Sequence, residues 1–172
     1  MHPSLNIFRL NVGFFLGQSV GYSRDFLFES PEVQLDPELP VQDLSGKAHI
    51  TRTAQGLLVQ VDMHATTPCE CVRCLTAISE LLTTDFTELY AFTRQSITES
   101  GLLMPESGYI DLSPLVREYM LLAMPISPLC ISSCKGLCQI CGENLNEGTC
   151  AHQSTNPDTD QSALAPLPDR EE

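Results

Sequence analysis

The sequence is short of positive charge and has no long hydrophobic run. Only nine of its 172 residues are lysine or arginine, against 22 acidic residues, and the formal net charge is −13. No two basic residues are adjacent, so no basic stripe is available to neutralise a row of phosphates, and binding of nucleic acid by the whole surface is disfavoured. No stretch approaches the roughly 18 apolar residues of a transmembrane helix.

The N-terminal segment also lacks the features of a secretory leader. It has no lysine-rich start, and its apolar run over residues 7–20 is interrupted by Arg9, Asn11 and Gln18. We therefore expect a cytoplasmic protein whose eight cysteines are reduced. Clustered cysteine pairs in a reducing compartment favour metal binding over disulfides.

Motifs of catalysis are missing as well. There is no H-E-x-x-H, phosphate loop, nucleophile elbow or dinucleotide fingerprint. The zinc deaminase pattern fails because Ala65 and Thr66, rather than x-Glu, follow His64. The sequence therefore predicts a protein that is not an enzyme.

Apolar periodicity predicts an antiparallel sheet. Residues 57–65 alternate strictly between apolar and mainly polar positions, which indicates a strand with one buried face. Residues 47–53 are expected to form its hairpin partner. The run from Cys74 to Phe92 is expected to form a third strand. Two apolar runs, 7–16 and 22–28, predict a further strand pair, and Pro31, Pro37 and Pro40 predict an acidic loop.

One main helix is predicted after a polar loop at 93–108. Ser113 is a suitable N-cap, Pro114 suits the first helical position, and Pro125 ends the run. The expected core-facing residues have helical spacing: Leu112, Leu115, Val116, Tyr119, Met120, Leu122 and Ala123. The fold class is therefore α+β, an antiparallel β-sheet packed by one main helix, with a C-terminal cysteine-rich zinc-binding segment.

Three regions follow from this pattern. Residues 1–128 form the predicted α+β core domain, including the first cysteine pair. Residues 129–152 form a zinc-binding segment, and residues 153–172, rich in Gln, Ser, Asn, Asp and Pro, form an acidic disordered tail.

Four short spacings predict structural zinc. They are Cys71-x2-Cys74, Cys130-x3-Cys134, Cys138-x2-Cys141 and Cys150-x-His152. A two-residue gap lets both thiolates reach one tetrahedral ion from a tight turn, and two pairs close a site. The eight ligands would hold two Zn²⁺ ions.

Chain proximity suggests how the ligands divide. Cys138, Cys141, Cys150 and His152 can form a local site, which leaves Cys130 and Cys134 to join Cys71 and Cys74. An alternative division combines Cys134 with Cys138, Cys141 and Cys150 and leaves the first pair as reduced thiols. Cys69 is interpreted as a small buried hydrophobic residue rather than a ligand.

Three segments together resemble the YceD family, the large ribosomal RNA subunit accumulation proteins. They are Cys71-Val-Arg-Cys74-Leu, Ile110-Asp-Leu-Ser-Pro-Leu-Val-Arg-Glu with Leu121-Leu-Ala-Met-Pro125, and Cys134-Lys-Gly-Leu-Cys-Gln-Ile-Cys-Gly-Glu-Asn-Leu-Asn146. Near the C-terminus the chain has Asn156-Pro-Asp where the family usually has Asp-Pro-Arg. The resemblance implies a non-enzymatic factor needed for 23S ribosomal RNA to accumulate and for the large ribosomal subunit to be made.

The acidic charge of the chain indicates what kind of partner it binds. Arg73 and Lys135 would give the metal region a weak positive face, so direct RNA contact has little support, and docking on a basic ribosomal protein or a large-subunit precursor is favoured. No membrane and no small-molecule substrate is expected. The alternative function is a zinc–thiol redox switch or redox-gated chaperone. A DNA-binding zinc ribbon is disfavoured by the charge.

Overall fold

A computed structural model describes residues 5–37 and 39–152 of the chain. It forms two compact units. The first contains the described residues up to Cys69 together with Ala77–Pro128, and the second contains Glu70–Thr76 and the described residues from Leu129 onwards. The predicted tail at 153–172 lies outside the described residues.

A four-stranded antiparallel sheet forms most of the first unit. Its order is β2-β3-β4-β5, with β2 at Ser23–Asp36, β3 at Leu39–Arg52, β4 at Gly56–Glu70 and β5 at Ala77–Ala91. A short sheet pairs β1 (Arg9–Asn11) with β6 (Tyr109–Asp111), and one helix, α1, spans Ser113–Ala123. Short 3₁₀ helices lie at Leu5–Phe8, Gly13–Gly17 and Arg94–Ser96. The predicted α+β class agrees in outline, but the β content is larger than expected.

The predicted hairpin of β3 and β4 is confirmed. The alternating apolar residues of β4 are at most 2% exposed, namely Leu57, Val59, Val61, Met63 and Ala65. The turn before them is fixed by the Thr53 hydroxyl, which accepts hydrogen bonds from the N–H groups of Gln55 and Gly56. A Cβ at Gly56 would lie 2.3 Å from the carbonyl oxygen of Tyr90, so only glycine fits at this close approach of two strands.

The predicted third strand is also confirmed, as β5. It places Leu82, Phe86 and Tyr90 in the core. The ring of Phe86 stacks on that of Tyr119 in α1, with centroids 4.4 Å apart, and the Tyr119 hydroxyl donates to Glu88. The helix therefore packs on the sheet as expected.

The predicted acidic loop around the three prolines is wrong. β2 continues to Asp36 and β3 begins at Leu39, so among the residues described in this region Pro37 alone lies in a turn. Pro31 is tolerated because β2 is an edge strand, and it lies between the pairs Ser30–Leu44 and Glu32–Gln42. The opposing strand has an irregularity there, since Asp43 has a φ of 49°.

The predicted N-terminal strand pair is only half right. The run at 22–28 lies in β2, but the run at 7–16 is mostly 3₁₀ helix around the three-residue strand β1. That strand pairs with β6, about 100 positions away in sequence, so a distant partner decides its conformation.

Two details of the helix differ from the sequence prediction. Ser113 is its first residue rather than its N-cap, and the Asp111 carboxylate accepts the Ser113 N–H at 2.9 Å. Leu122 is 74% exposed and so does not join the core, whereas Val116 and Met120 are buried. The helix ends at Ala123, before Pro125, as predicted. Among the described residues, no helix has the length and apolar content to cross a membrane.

Candidate metal centres

The second unit brings eight side chains together in two groups of four. Within each group the ligand atoms all lie within 4.8 Å of one another. The first group is Cys71, Cys74, Cys130 and Cys134, and the second is Cys138, Cys141, Cys150 and His152. This is the first of the two divisions considered from the sequence, and the geometry does not place Cys134 with the second group.

Two tight turns have the same backbone geometry, and each of them carries two of the cysteines. In the first, the Leu75 N–H donates to the Cys71 carbonyl at 2.9 Å, and Leu75 has a φ of 58°. In the second, the Gly142 N–H donates to the Cys138 carbonyl at 2.9 Å, with a φ of 75°. The fifth residue of each turn is therefore left-handed, a conformation that glycine adopts freely and leucine does not.

Backbone N–H groups point at the first sulfur of each pair. The pKa of Cys71 is lowered to about 6 by the backbone N–H of Cys130, with smaller contributions from the N–H groups of Cys74 and Arg73. The pKa of Cys138 is lowered to about 6 by the N–H groups of Cys141 and Ile140. These backbone donors therefore stabilise thiolates, the form that binds metal.

The pKa of one other thiol in each group shifts in the opposite direction. The pKa of Cys130 is raised to about 12, chiefly because its thiol shares a hydrogen bond with Cys74. Hydrogen bonding to Cys138 likewise raises the pKa of Cys150. Four thiolates in the first group, or three beside His152 in the second, would repel one another at such short range, so full ionisation of the cysteines in either group requires a cation at its centre.

The sulfur–sulfur distances fit a shared ion better than disulfides. Cys71 Sγ lies 3.7 Å from Cys134 Sγ, and Cys74 Sγ lies 3.5 Å from Cys130 Sγ. A disulfide requires about 2.05 Å. A regular tetrahedron with metal–sulfur bonds of about 2.3 Å has sulfurs about 3.8 Å apart. All eight cysteines are free thiols, and both donor sets suit a tetrahedral, thiolate-preferring metal ion.

Polar neighbours support the first group. The Asn146 side-chain amide donates to Cys134 Sγ at 3.3 Å, and the Arg73 guanidinium donates to the Cys134 carbonyl at 2.8 Å. The Thr76 hydroxyl lies 3.2 Å from Cys74 Sγ and lowers the pKa of that thiol, because it can donate to the thiolate. These contacts orient the sulfurs and balance part of their charge.

A small hairpin connects the two groups along the chain. Leu137 pairs with Asn144, and the Cys138 N–H donates to the Glu143 carbonyl at 2.8 Å. Gly136 has a φ of 78°, and a Cβ there would lie 3.1 Å from the Arg73 carbonyl oxygen. The glycine therefore allows this segment to approach the turn that carries Cys71 and Cys74.

The two groups differ in exposure. In the first, Cys71 is 0% and Cys134 is 2% exposed, and the partly buried Leu129 and Leu137 pack against them. In the second, Cys141 and His152 are exposed. Cys69 belongs to neither group; it is half-buried, and burial raises the pKa of its thiol.

Asn146 was missed by the sequence reasoning. It lies twelve residues from Cys134, and no ligand spacing identifies a residue that donates to a sulfur. The signal available in the sequence is its place at the end of the cysteine-rich segment from Cys134 to Asn146.

Comparison with known proteins gives one family. Residues 59–168 match the family described as large ribosomal RNA subunit accumulation protein YceD. An uncharacterised protein of Mycobacterium leprae is 31% identical over 100 residues, covering 56% of this chain and 46% of its own. An uncharacterised protein of Mycobacterium tuberculosis is 31% identical over 130 residues, covering 72% of this chain and 58% of its own.

A plant protein matches over a shorter stretch. The Arabidopsis thaliana protein named large ribosomal RNA subunit accumulation protein YCED homolog 1, chloroplastic, is 44% identical over 46 residues, which are 27% of this chain and 14% of the plant protein. The chain thus spans about half the length of the two mycobacterial relatives. No solved structure matches significantly.

Proposed function

The chain belongs to the YceD family of large ribosomal RNA subunit accumulation proteins, and on that premise we propose that it is a non-enzymatic, zinc-structured factor that supports 23S ribosomal RNA accumulation and large-subunit biogenesis. The observation that carries the proposal is the pair of four-ligand groups in the second unit. The proposed location is the cytoplasm.

Zinc is the ion proposed for both groups. Sets of four cysteines, or three cysteines and one histidine, are typical of structural zinc, and thiolates select against magnesium and calcium. Each set supplies four protein ligands, so no coordination position would be left for a substrate or an activated water. This closed coordination supports a structural role rather than catalysis.

A structural metal ion would stabilise the second unit, because the core of this unit is so small. Among its described residues, the buried cluster consists of Cys71, Cys74 and Cys134, with Leu129, Cys130 and Leu137 packed against them. So few apolar side chains do not offset the entropy of ordering the segment. Metal binding would supply the missing free energy, as in other small zinc modules.

The proposed partner is a large-subunit precursor, reached in part through a basic ribosomal protein. The net charge of −13 favours attraction to a basic surface. Association with ribosomal material should therefore weaken as salt is raised, because exposed charges are screened.

Deletion of the gene tests the biological role. We expect a lower ratio of 23S to 16S ribosomal RNA and fewer complete large subunits in a sucrose gradient. The intact gene and a Cys69→Ser variant should restore the ratio, whereas a chain truncated after Pro128, which lacks six of the eight ligands, should not. Normal ribosome profiles in the deletion strain, including under cold or antibiotic stress, would refute the role.

Native mass spectrometry tests the metal. Purified protein should carry two zinc ions per chain, one for each group of four ligands. A folded, metal-free protein with disulfides between these cysteines would contradict the zinc proposal without bearing on the family.

A second candidate function is a thiol redox switch, and one observation favours it. Cys141 is exposed within the second group, so peroxide could reach its sulfur. Zinc release and reversible unfolding under mild peroxide would support the switch. Retention of both ions under the same treatment would exclude it.

A further inference from the structure

A depression in the first unit combines arginine with aromatic side chains. It has a volume of about 340 Å³, at the small end of the range for ligand sites. We call it the arginine–aromatic pocket, and its lining residues are Arg9, Leu10, Asn11, Phe14, Arg24 and Phe26. None of these residues takes part in the metal groups.

Ring contacts hold both guanidinium groups at the surface. The Arg24 guanidinium carbon lies 5.4 Å from the ring centroid of Phe14 and 5.6 Å from that of Phe26. The Arg9 guanidinium carbon lies 5.0 Å from the ring centroid of Tyr109, a residue that is 41% exposed. Both arginines are exposed, and Phe14 and Phe26 are half-buried, so N–H donors and ring surface face the same depression.

The pocket is a local exception to the acidity of the chain. Asp25 is adjacent to Arg24 in the strand, so its side chain points to the opposite face of the sheet, where it pairs with His49. Asp111 lies opposite Arg9 in the β1–β6 pair, outside the pocket lining, and its carboxylate accepts the Ser113 N–H. Two of the nine basic residues thus meet where the lining contains no acid.

Other depressions of the same unit have the opposite character. One on the outer sheet face is lined by Asp62 and Asp85 beside Lys47, and another is lined by Glu88 and Glu99. Carboxylates there would repel a phosphate, so neither competes with the arginine–aromatic pocket as an anion site.

We propose that the arginine–aromatic pocket binds a single-stranded RNA segment, with a base stacked against its ring or guanidinium surfaces and phosphates at Arg9 and Arg24. Single-stranded nucleic acid is held by this combination of aromatic stacking and arginine N–H donors. An acidic peptide would use the guanidinium groups alone and leave the ring surfaces without a role. The choice of RNA over other nucleic acid rests on the proposed function.

The test measures binding of a short, fluorescently labelled oligouridylate to the full-length, zinc-loaded protein by anisotropy at low salt. Arg24→Gln and Phe26→Ala should each weaken binding about tenfold, as expected for the loss of one phosphate contact or one stacked base. Lys47→Gln is the matched control, because it removes the same charge from another depression and should have little effect.

Salt dependence gives a second readout. Two phosphate contacts to a single strand give a log–log slope of affinity against salt of about −1.4, and Arg24→Gln should halve it. Zinc content and thermal unfolding of each variant establish that it is folded. Should Phe26→Ala unfold, the two arginine variants, Arg9→Gln and Arg24→Gln, still decide the question.

Three results would overturn the inference: no binding of oligouridylate, equal losses in Arg24→Gln and Lys47→Gln, or equal binding of heparin, which has charge without bases. These results are distinguishable from failure of the proposed function. A deletion strain with low 23S ribosomal RNA, combined with a protein that does not bind oligouridylate, would keep the biological role and assign it to protein contacts.

Discussion

Losing the first metal group should destabilise the protein more than losing the second. The first group bridges positions 74 and 130, which are 56 residues apart, whereas the widest gap between neighbouring ligands in the second, from 141 to 150, is nine residues. The entropy removed from the unfolded chain grows with the logarithm of loop length, so closing the longer loop stabilises by about 1.6 kcal/mol more than closing the shorter one. Cys74→Ser opens the longer loop, and Cys141→Ser the shorter.

For a chain of this size, that difference corresponds to a melting temperature roughly 3–6 °C lower for Cys74→Ser than for Cys141→Ser. Circular dichroism melts and native mass spectrometry measure both effects, and each variant should lose one zinc ion and keep the other. Cys69→Ser, outside both groups, should keep both ions and melt near the wild-type temperature. Equal destabilisation by the two ligand variants, or loss of both ions from either, would indicate one shared cluster and refute the reasoning.

Three further substitutions test details of the structure. Gly56→Ala should destabilise by about 1–3 kcal/mol, because its Cβ would meet the Tyr90 carbonyl, whereas Gly17→Ala, with open space around it, should be nearly neutral in a thermal melt. Leu75→Gly should slow zinc loss to a chelator by relieving a left-handed leucine, and Gly142→Ala should speed it; the same direction for both would contradict the shared turn geometry. Asn146→Ala should weaken zinc retention about 10- to 100-fold by removing a donor to Cys134 Sγ, and an unchanged chelation rate would show that this hydrogen bond is dispensable.

Regular alternation made the centre of the sheet predictable from sequence. In β4 the apolar positions determine which face is buried, so the strand and its partner β3 could be identified without tertiary information. The extent of β2 could not be predicted from the sequence, because Pro31 and Pro37 are ordinary signals for a loop. A proline is compatible with an edge strand, but the sequence does not say which strand lies at the edge.

Long-range contacts and the position of the helix end account for the other differences. The segment containing β1 has apolar residues suited to a strand, but its partner β6 is remote, and most of the segment remains 3₁₀. Helical spacing assigned Leu122 to the core, although the helix is in its last turn there and the residue faces solvent. Spacing identifies the local cysteine pairs, but the sequence left two divisions of these pairs open, because the way they combine depends on tertiary structure. Zinc itself stays a prediction. The arginine–aromatic pocket could not be foreseen, since Arg9 and Arg24 lie on separate strands.

The separation of the first ligand group into two chain segments also sets an order of events during synthesis. Cys71 and Cys74 are made well before Cys130, and at about 5–20 residues per second the ribosome needs roughly 3–11 seconds to add the 56 residues that follow Cys74. During that interval the first pair is a half-site that can take up a metal weakly or be oxidised. The described part of the first unit is fully translated by Pro128, so its sheet and helix can form while the metal groups are still incomplete. The ligands of both groups are thus complete only after the described part of the first unit has been translated.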